Sequence, residues 1–243
     1  MRYVLLICQD EDVIQGTDPA RVAAYEAFAD EMSARGVIRD GQRLKPTSSA
    51  TTVQVRDGDL VIADGPFAET KEQIAGYDVI DCPNLDEAIE VAAKHPVARF
   101  GAVEVRPFQP VGWWASEDRH GPAKGTRYLL IHSFDQVAEA SAADRGAVPG
   151  SPADQAQRAW DAETDALGVK LGGGGLRPAT EARTVRVRDG EVLVTDGPFA
   201  ETKEQVGGLN VLDCASLPEA IEITSRHPIA SIGTCELRAF AGE

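Results

Sequence analysis

The stretch DGPFAETKEQ occurs twice in this chain, at residues 64–73 and 196–205, and it is identical at all ten positions. The same shift of 132 residues aligns 64–96 with 196–228, where 21 of 33 positions are identical. The opening strands align at a shift of 125, so the second copy carries seven extra residues after its first strand. A period of this length is too long for a solenoid and suits two whole domains.

Each copy has the same order of predicted elements. In the first copy these are a strand over 2–8, a helix over 19–35, a strand over 36–44, a hairpin that turns at 57–58, a strand over 76–82, a helix over 84–95 and a strand over 101–106. The Asp-Gly dipeptide of the hairpin supplies the positive φ angles of a tight turn. Asn84 with Glu87, and Ser216 with Glu219, form the capping box that begins the second helix of each copy.

This order of elements predicts an α+β fold of two ferredoxin-like repeats, each a βαββαβ unit with an inserted β-hairpin. One layer of helices leaves the other sheet face open, so we predict that the repeats pack sheet to sheet as an intramolecular pseudo-dimeric α/β barrel. We place the first repeat at 1–108, a linker rich in Pro, Gly and charge at 109–125, and the second repeat at 126–243. Trp113 and Trp114 of the linker could dock it onto a domain or line a ligand site.

Composition excludes several classes of partner. The net charge of −15 and the lack of a Lys/Arg cluster argue against nucleic acid, because phosphate binding needs a basic surface. No apolar run approaches the ~20 residues of a membrane span. The opening MRYVLLICQDED reaches acidic residues too early for a signal peptide, so we expect a cytoplasmic protein. The cysteines form no CxxC pair and the histidines are scattered, so we expect buried free thiols, no metal and no cofactor.

The repeated stretch combines a turn with a run of polar residues. Asp-Gly-Pro is typical of a turn, because Pro fixes φ and Asp can accept hydrogen bonds from backbone amides. A turn does not require the ETKE segment that follows. This segment fits either a structural loop with an internal salt-bridge network or a loop that faces a ligand. The candidate ligand-binding residues are Phe67, Thr70, Lys71 and Glu72 in the first copy, and Phe199, Thr202, Lys203 and Glu204 in the second.

His95 and His227 lie at equivalent helix C-termini, and each is followed by proline. A protonated histidine there would be favoured by the helix dipole, which explains both residues without catalysis. Alternatively, each could act as a general acid or base, since the pKa of histidine lies near neutrality. The second interpretation needs a neighbouring carboxylate, and the candidates are Asp64 and Asp196, or Asp81 and Asp213.

The two copies differ at positions that could make their sites non-equivalent. His132 replaces Ile7 in register. The segment DGQR at 40–43 becomes four glycines at 172–175, so the second copy lacks any counterpart of Arg43. The glycine run favours a flexible bend over a phosphate-binding loop, because it does not match GxxxxGK[ST] and does not open a helix.

The combination of DGPFAETKEQ, a strand, a short helix ending in HP and the terminal GAVEVRP at 101–107 resembles the DGPF group of the YCII-related (YciI-like) family. Both copies match, although the second lacks the final proline, so the chain resembles a tandem duplication of this domain. The resemblance implies a dimeric α+β barrel, here supplied by one chain. It also implies a His–Asp pair suggested as catalytic in some members, and a link of DGPF proteins to extracytoplasmic-function sigma factors.

Three functions follow as hypotheses. The first is small-molecule binding or sensing at a pocket near the DGPFAETKE loops, and the second is an enzyme with a His/Asp general acid–base pair. The third is an accessory protein that binds a sigma factor or another protein through its acidic surface. A cleft that gathers Thr70, Lys71 and an aspartate would support the first two. Side chains that satisfy one another within a closed loop would argue against both.

Overall fold

The computed structural model describes residues 1–14, 18–110, 123–135 and 150–242. The two linker tryptophans, His120 and most of the insertion in the second copy lie outside these ranges. The elements of the first copy are β1 (Arg2–Gln9), α1 (Pro19–Ala34), β2 (Ile38–Arg43), β3 (Thr51–Arg56), β4 (Asp59–Asp64), β5 (Gln73–Asp81), α2 (Leu85–Lys94) and β6 (Ala102–Pro107). Those of the second copy are β7 (Thr126–Asp135), α3 (Pro152–Leu167), β8 (Lys170–Gly175), β9 (Arg183–Arg188), β10 (Glu191–Asp196), β11 (Glu204–Cys214), α4 (Leu217–Ser225) and β12 (Thr234–Ala239).

Local signals place these elements where the sequence predicts them. The Asn84 side chain accepts a hydrogen bond from the Glu87 amide at 2.9 Å and so begins α2. Both hairpins turn at Asp-Gly dipeptides with positive φ, at 57–58 and 189–190. In α4 the Ser216 hydroxyl accepts from the Glu219 amide at 3.4 Å, and the Glu219 carboxylate accepts from the amide of Ala215, one residue before the N-cap, at 2.6 Å.

The described residues form an α+β fold of two six-stranded antiparallel sheets and four α-helices, consistent with a duplicated ferredoxin-like fold. The chain divides into two compact units. Unit 1 comprises Met1–Leu44, Glu69–Phe108 and Ala179–Glu201, and its sheet has the order β10-β9-β6-β1-β5-β2. Unit 2 comprises Lys45–Ala68, Gln109–Pro178 and Thr202–Glu243, with the order β4-β3-β12-β7-β11-β8.

The inserted hairpins are exchanged between the two copies. Strand β3 of the first copy pairs with β12 of the second, with Val53 opposite Cys235. Strand β9 of the second copy pairs with β6 of the first, with Val185 opposite Val103. The repeats at 1–108 and 126–243 therefore describe the duplication in sequence, whereas each compact unit contains a hairpin from the other repeat.

Each sheet packs one face against its helices. In unit 1 this core contains Leu5 of β1, Met32 of α1, Val91 of α2 and Val185 of the exchanged hairpin. Side chains alternate between the two faces of a strand, so the strand residues next to Leu5 and Val185 lie on the opposite face of the sheet. That opposite face carries buried polar residues in both units. All four cysteines are buried and free, as predicted.

Candidate functional site

The DGPF turn of the first copy is fixed in unit 2 by three hydrogen bonds. Gly65 adopts φ +99, a conformation that favours glycine, and its amide donates to the Ala50 carbonyl at 2.9 Å. The Thr52 hydroxyl donates to the Gly65 carbonyl at 2.7 Å. The amide of Phe67 then donates to Oε2 of Glu236 on β12 at 3.0 Å. The DGPF turn thus joins the end of the exchanged hairpin to the sheet that the hairpin enters.

The second DGPF turn makes the same contacts in unit 1. Gly197 has φ +94, and the Thr184 hydroxyl donates to its carbonyl at 2.9 Å. The Phe199 amide donates to Oε2 of Glu104 on β6 at 3.0 Å. We call this arrangement the loop clamp: the Phe amide of a DGPF turn bound to the Glu of the Glu-x-Arg motif at 104–106 or 236–238. The positive φ angles give the two glycines a structural cause, and the other contacts of the clamp are made by backbone atoms of the turn.

The carboxylate of each loop clamp is part of a buried ion pair. Arg106 Nε lies 2.9 Å from Glu104 Oε1, and Arg238 Nε lies 2.9 Å from Glu236 Oε1. All four side chains are about 1% exposed. A buried carboxylate is tolerated only when it is paired and hydrogen-bonded, and here the guanidinium and the Phe amide meet both needs.

The ETKE segment is largely a closed loop. The Thr70 hydroxyl donates to the carbonyl of Glu72, and the Gln73 side-chain amide donates to the Thr70 carbonyl at 2.9 Å. Thr202 and Gln205 repeat both contacts. Lys71 is exposed, and the Lys203 side chain is 85% exposed with its Nζ 3.5 Å from Asp135. The loops therefore turn their threonines inward and their lysines to solvent, and a ligand-binding role for these residues stays a prediction.

The final Glu of the segment has different partners in the two units. In unit 1 the Glu72 carboxylate binds the Arg186 guanidinium in bidentate fashion, with both N–O distances 2.6 Å. In unit 2 Gln54 stands at the position of Arg186 and donates instead to the Thr234 hydroxyl at 2.6 Å. Oε2 of Glu204 is buried and has no hydrogen-bond partner within the described ranges.

His95 is buried and neutral. Its Nδ1 accepts a hydrogen bond from the Val97 amide at 3.2 Å, which places the proton on Nε2. The ring packs edge-on against Phe28, with the ring centroids 4.8 Å apart, and against Tyr25 at 5.6 Å. Burial lowers the pKa of His95 to about 3, so it does not act as the helix-dipole cation that one sequence interpretation proposed. Instead, it caps the 3₁₀ turn that follows it, Pro96–Arg99.

The carboxylate beside His95 belongs to Asp78 of β5, which the sequence reasoning missed. Asp78 Oδ2 lies 3.6 Å from His95 Nε2, and it has no hydrogen-bond partner among the described residues. The Asp78 side chain remains 17% exposed. Burial, followed by the nearby Asp40 carboxylate, raises the pKa of Asp78 from 3.8 to about 7.

Strand β2 leaves room for the Asp78 carboxyl group, and helix α1 carries an aromatic residue that is influenced by its charge. Gly41 of β2 lies directly opposite Asp78, and a Cβ at Gly41 would come within 2.2 Å of Asp78 Oδ1. Glycine at this position therefore leaves room for the carboxyl group. On α1, Tyr25 has a raised pKa because of burial, while Arg21 and Arg43 act in the opposite direction and Asp78 adds to the increase.

The predicted catalytic carboxylates lie elsewhere. Asp64 is exposed at the end of β4, and the Asp196 side chain is 88% exposed and 3.0 Å from Arg183. Asp81 forms ion pairs with two arginines, and Asp213 accepts from the Lys124 amide at 3.0 Å. The structure thus places Asp78, and none of these four, next to His95. The sequence signal that could have found Asp78 is its register with Asn210, a carboxyl-to-amide change within a closely matched segment.

His227 of unit 2 has no carboxylate in the position of Asp78, because Asn210 occupies it. The Asn210 amide lies 2.8 Å from Nε2 of His132, and the rings of His132 and His227 are 4.6 Å apart. Trp160 packs edge-on against His227 with the ring centroids 4.5 Å apart. Burial, and then the neighbouring His132 and Lys170, lower the pKa of His227 well below its ordinary range. This cluster is neutral and lacks a titrating carboxyl group at position 210.

In the part of the chain that the structure describes, no group of three His, Cys, Asp or Glu side chains is arranged to hold a metal ion. Within the same ranges, no helix combines the length and apolar character of a membrane span.

The fold and the loop clamps define a duplicated α+β protein of two ferredoxin-like units with exchanged hairpins. The family model described as "YCII-related domain" matches residues 1–111 and again 127–240. The chain belongs to the YCII-related family and carries the domain as a tandem duplication.

The chain is also similar to individual proteins. "Uncharacterized protein R00369" of Rhizobium meliloti (strain 1021) is 36% identical over 113 residues, which cover 44% of this chain and 91% of that protein. A solved structure described as "Putative Chlorite dismutase TA0507" aligns with 99% of this chain and 94% of its own, at 8% identity and a TM-score of 0.38.

Proposed function

We propose that the protein binds a small polar molecule at the Asp78–His95 pair of unit 1 and exchanges a proton with it. The observation that carries this proposal is the Asp78 Oδ2 atom, which lacks a hydrogen-bond partner in the described ranges and lies 3.6 Å from His95 Nε2. A polar atom held without a partner in a largely buried place is costly in a purely structural site. A ligand that donates a hydrogen bond would satisfy it.

The protonation states of the pair suit general acid–base chemistry. A carboxyl group with a pKa of about 7 holds and releases its proton near neutral pH, which is the range in which such catalysis is most effective. Neutral His95 carries its proton on Nε2 and can donate a hydrogen bond to a bound molecule or to the Asp78 carboxylate. Tyr25 supplies an aromatic side chain next to His95, with the ring centroids 5.6 Å apart.

A thermal-shift screen against a metabolite library tests this proposal. The matched variant is Asp78→Asn, because it installs the amide that unit 2 carries at the equivalent Asn210. We expect hits that stabilise the wild-type protein and lose most of their effect on Asp78→Asn, while Asn210→Asp keeps them. Hits that stabilise the wild type and Asp78→Asn equally would show that the Asp78–His95 pair does not bind them.

The other hypotheses from the sequence stay predictions. Ligand binding at the exposed lysines of the two ETKE segments predicts that Lys71→Ala or Lys203→Ala abolishes a hit. Binding to an extracytoplasmic-function sigma factor predicts a complex that high salt weakens, since the protein is strongly acidic. The sheet-to-sheet pseudo-dimeric barrel also stays a prediction, which an experimental structure would test.

A further inference from the structure

A row of four neighbouring residues crosses the sheet of unit 1: Arg186, Ala102, Cys8 and Ile74. The antiparallel register that pairs Val103 with Val185 brings Ala102 opposite Arg186, and Ala102 pairs in turn with Cys8, which pairs with Ile74. Arg186 reaches past this row to the Glu72 carboxylate and also donates to the Gly101 carbonyl at 3.1 Å. Burial raises the pKa of the Cys8 thiol; the Glu104 and Glu72 carboxylates add to this increase, and Arg186 and Arg106 oppose it.

Three changes occur along the same row in unit 2. Gln54 replaces Arg186, Thr234 replaces Ala102 and Ser133 replaces Cys8. The row has thus lost its guanidinium and gained two hydroxyl groups. The carboxylate survives, because Glu204 occupies the position of Glu72.

Some polar atoms in this row of unit 2 and beside it are not satisfied by the described part of the protein. Gln54 is turned to the Thr234 hydroxyl at 2.6 Å. The Ser133 hydroxyl and Glu204 Oε2 are both buried, and neither has a hydrogen-bond partner in the described part of the chain. Two unsatisfied acceptors on one sheet face are unusual in a native protein, and one of them belongs to a carboxylate. Glu204 as a whole is half-buried rather than fully enclosed.

We propose that Glu204 and Ser133 of unit 2 bind the cationic group of a small molecule, a guanidinium or a primary ammonium. The bound cation takes the place that the Arg186 guanidinium occupies in unit 1. Such groups carry only hydrogen-bond donors and match a carboxylate and a hydroxyl oxygen. The acidic surface of the protein, with a net charge of −15, favours the approach of a cation.

This site is separate from the Asp78–His95 pair, because the two lie in different units and use different residues. The cation site therefore does not rest on the proposed function. Asp78→Asn leaves cation binding unchanged, so failure of one proposal can be told from failure of the other.

Calorimetric titration of the full chain with methylguanidinium chloride and with methylammonium chloride, at constant ionic strength, tests the cation site. We expect saturable binding of at least one of these probes and none of tetramethylammonium, which has no N–H donors. Gln54→Arg should weaken binding at least about tenfold, because the new side chain supplies the guanidinium internally. The matched change in unit 1, Arg186→Gln, should create a second binding site at Glu72.

Glu204→Gln provides a second, milder variant that keeps the size of the side chain, and it should also weaken binding about tenfold. The proposal is overturned if neither methylguanidinium nor methylammonium binds the wild-type protein saturably. It is equally overturned if the wild type and Glu204→Gln bind the probes with the same affinity, whether or not the Gln54→Arg variant folds.

Discussion

Unit 1 places a carboxyl group beside its buried histidine, whereas unit 2 places the amide of Asn210 there. Unit 1 also neutralises the last Glu of the ETKE segment with Arg186, whereas unit 2 leaves an oxygen of Glu204 without a partner in the described ranges. In contrast, the loop clamps of both units have the same contacts and nearly the same distances. The duplication has kept the contacts that hold the exchanged hairpins and has changed the polar residues around two separate positions. We infer that the shared residues are mainly structural and that function follows from the differences.

The largest expected effect comes from breaking a loop clamp. Glu104→Ala and Glu236→Ala should each lower the free energy of unfolding by about 3–5 kcal/mol, because each leaves a buried arginine without its carboxylate. Denaturant unfolding followed by circular dichroism measures this loss. The two losses should be similar, since the clamps are equivalent. A large loss in one unit with none in the other would contradict a shared structural role.

The second effect is a pH dependence that only unit 1 should have. The folded protein holds the Asp78 proton up to a pKa of about 7, whereas the unfolded chain releases it near 3.8. The free energy of unfolding therefore falls as pH rises through this window, and the loss is complete above about pH 7. Asp78→Asn should remove this loss, which is worth up to about 4 kcal/mol at pH 8 relative to pH 4.

Unfolding titrations of the wild type and Asp78→Asn at several pH values measure the Asp78 contribution. Asn210→Asp is not a matched control for this measurement, because the new carboxylate would face Nε2 of His132, whereas unit 1 has Ile7 at that position. Parallel stability curves for the wild type and Asp78→Asn would show that Asp78 titrates normally.

A smaller effect should follow from restoring the ion pair that unit 2 lacks. Gln54→Arg should raise the free energy of unfolding by about 1 kcal/mol, because a bidentate bridge to Glu204 replaces an unsatisfied oxygen. Arg186→Gln should lower it by a similar amount in unit 1. Thermal unfolding of both variants measures the difference, and opposite signs are the expected result. A destabilised Gln54→Arg protein would mean that the row cannot accept a guanidinium.

The smallest effect is expected for the exposed lysines. Lys71→Ala and Lys203→Ala should change the free energy of unfolding by less than about 0.5 kcal/mol, because both ammonium groups face solvent and surface pairs contribute little. Thermal-shift measurements without ligand check this expectation. A larger loss of unfolding free energy in either variant would mean that its lysine makes a stabilising contact in the folded protein.

The sequence predicted those parts of the fold that depend on local chemistry. Capping residues, Asp-Gly turns and apolar spacing act within a few residues, so the helices, hairpins and element order were correct. The exchange of the hairpins could not be predicted, because β3 and β9 show the same alternation whichever copy of the sheet they join. That choice depends on contacts distant in sequence, such as the one between Phe67 and Glu236.

The candidate site was only partly predictable for the same reason. His95 and His227 stood out by their matched positions, but their burial and neutral state depend on packing by residues such as Phe28 and Trp160. The sequence analysis chose the partner of His95 from aspartates that both copies share, and none of these lies next to His95. Asp78 differs between the copies, and this difference was the informative signal.

We propose that unit 1 contains an acid–base group, the Asp78 carboxyl, and that unit 2 lacks its counterpart. Carbon-13 NMR of the side-chain carboxyl groups, assigned with Asp78→Asn, measures the titration of Asp78 directly. We expect a midpoint near pH 7, because burial and the Asp40 carboxylate raise the pKa of Asp78. A midpoint near the ordinary value of 3.8 would contradict this proposal, since Asp78 would then be an ordinary ionised side chain at neutral pH.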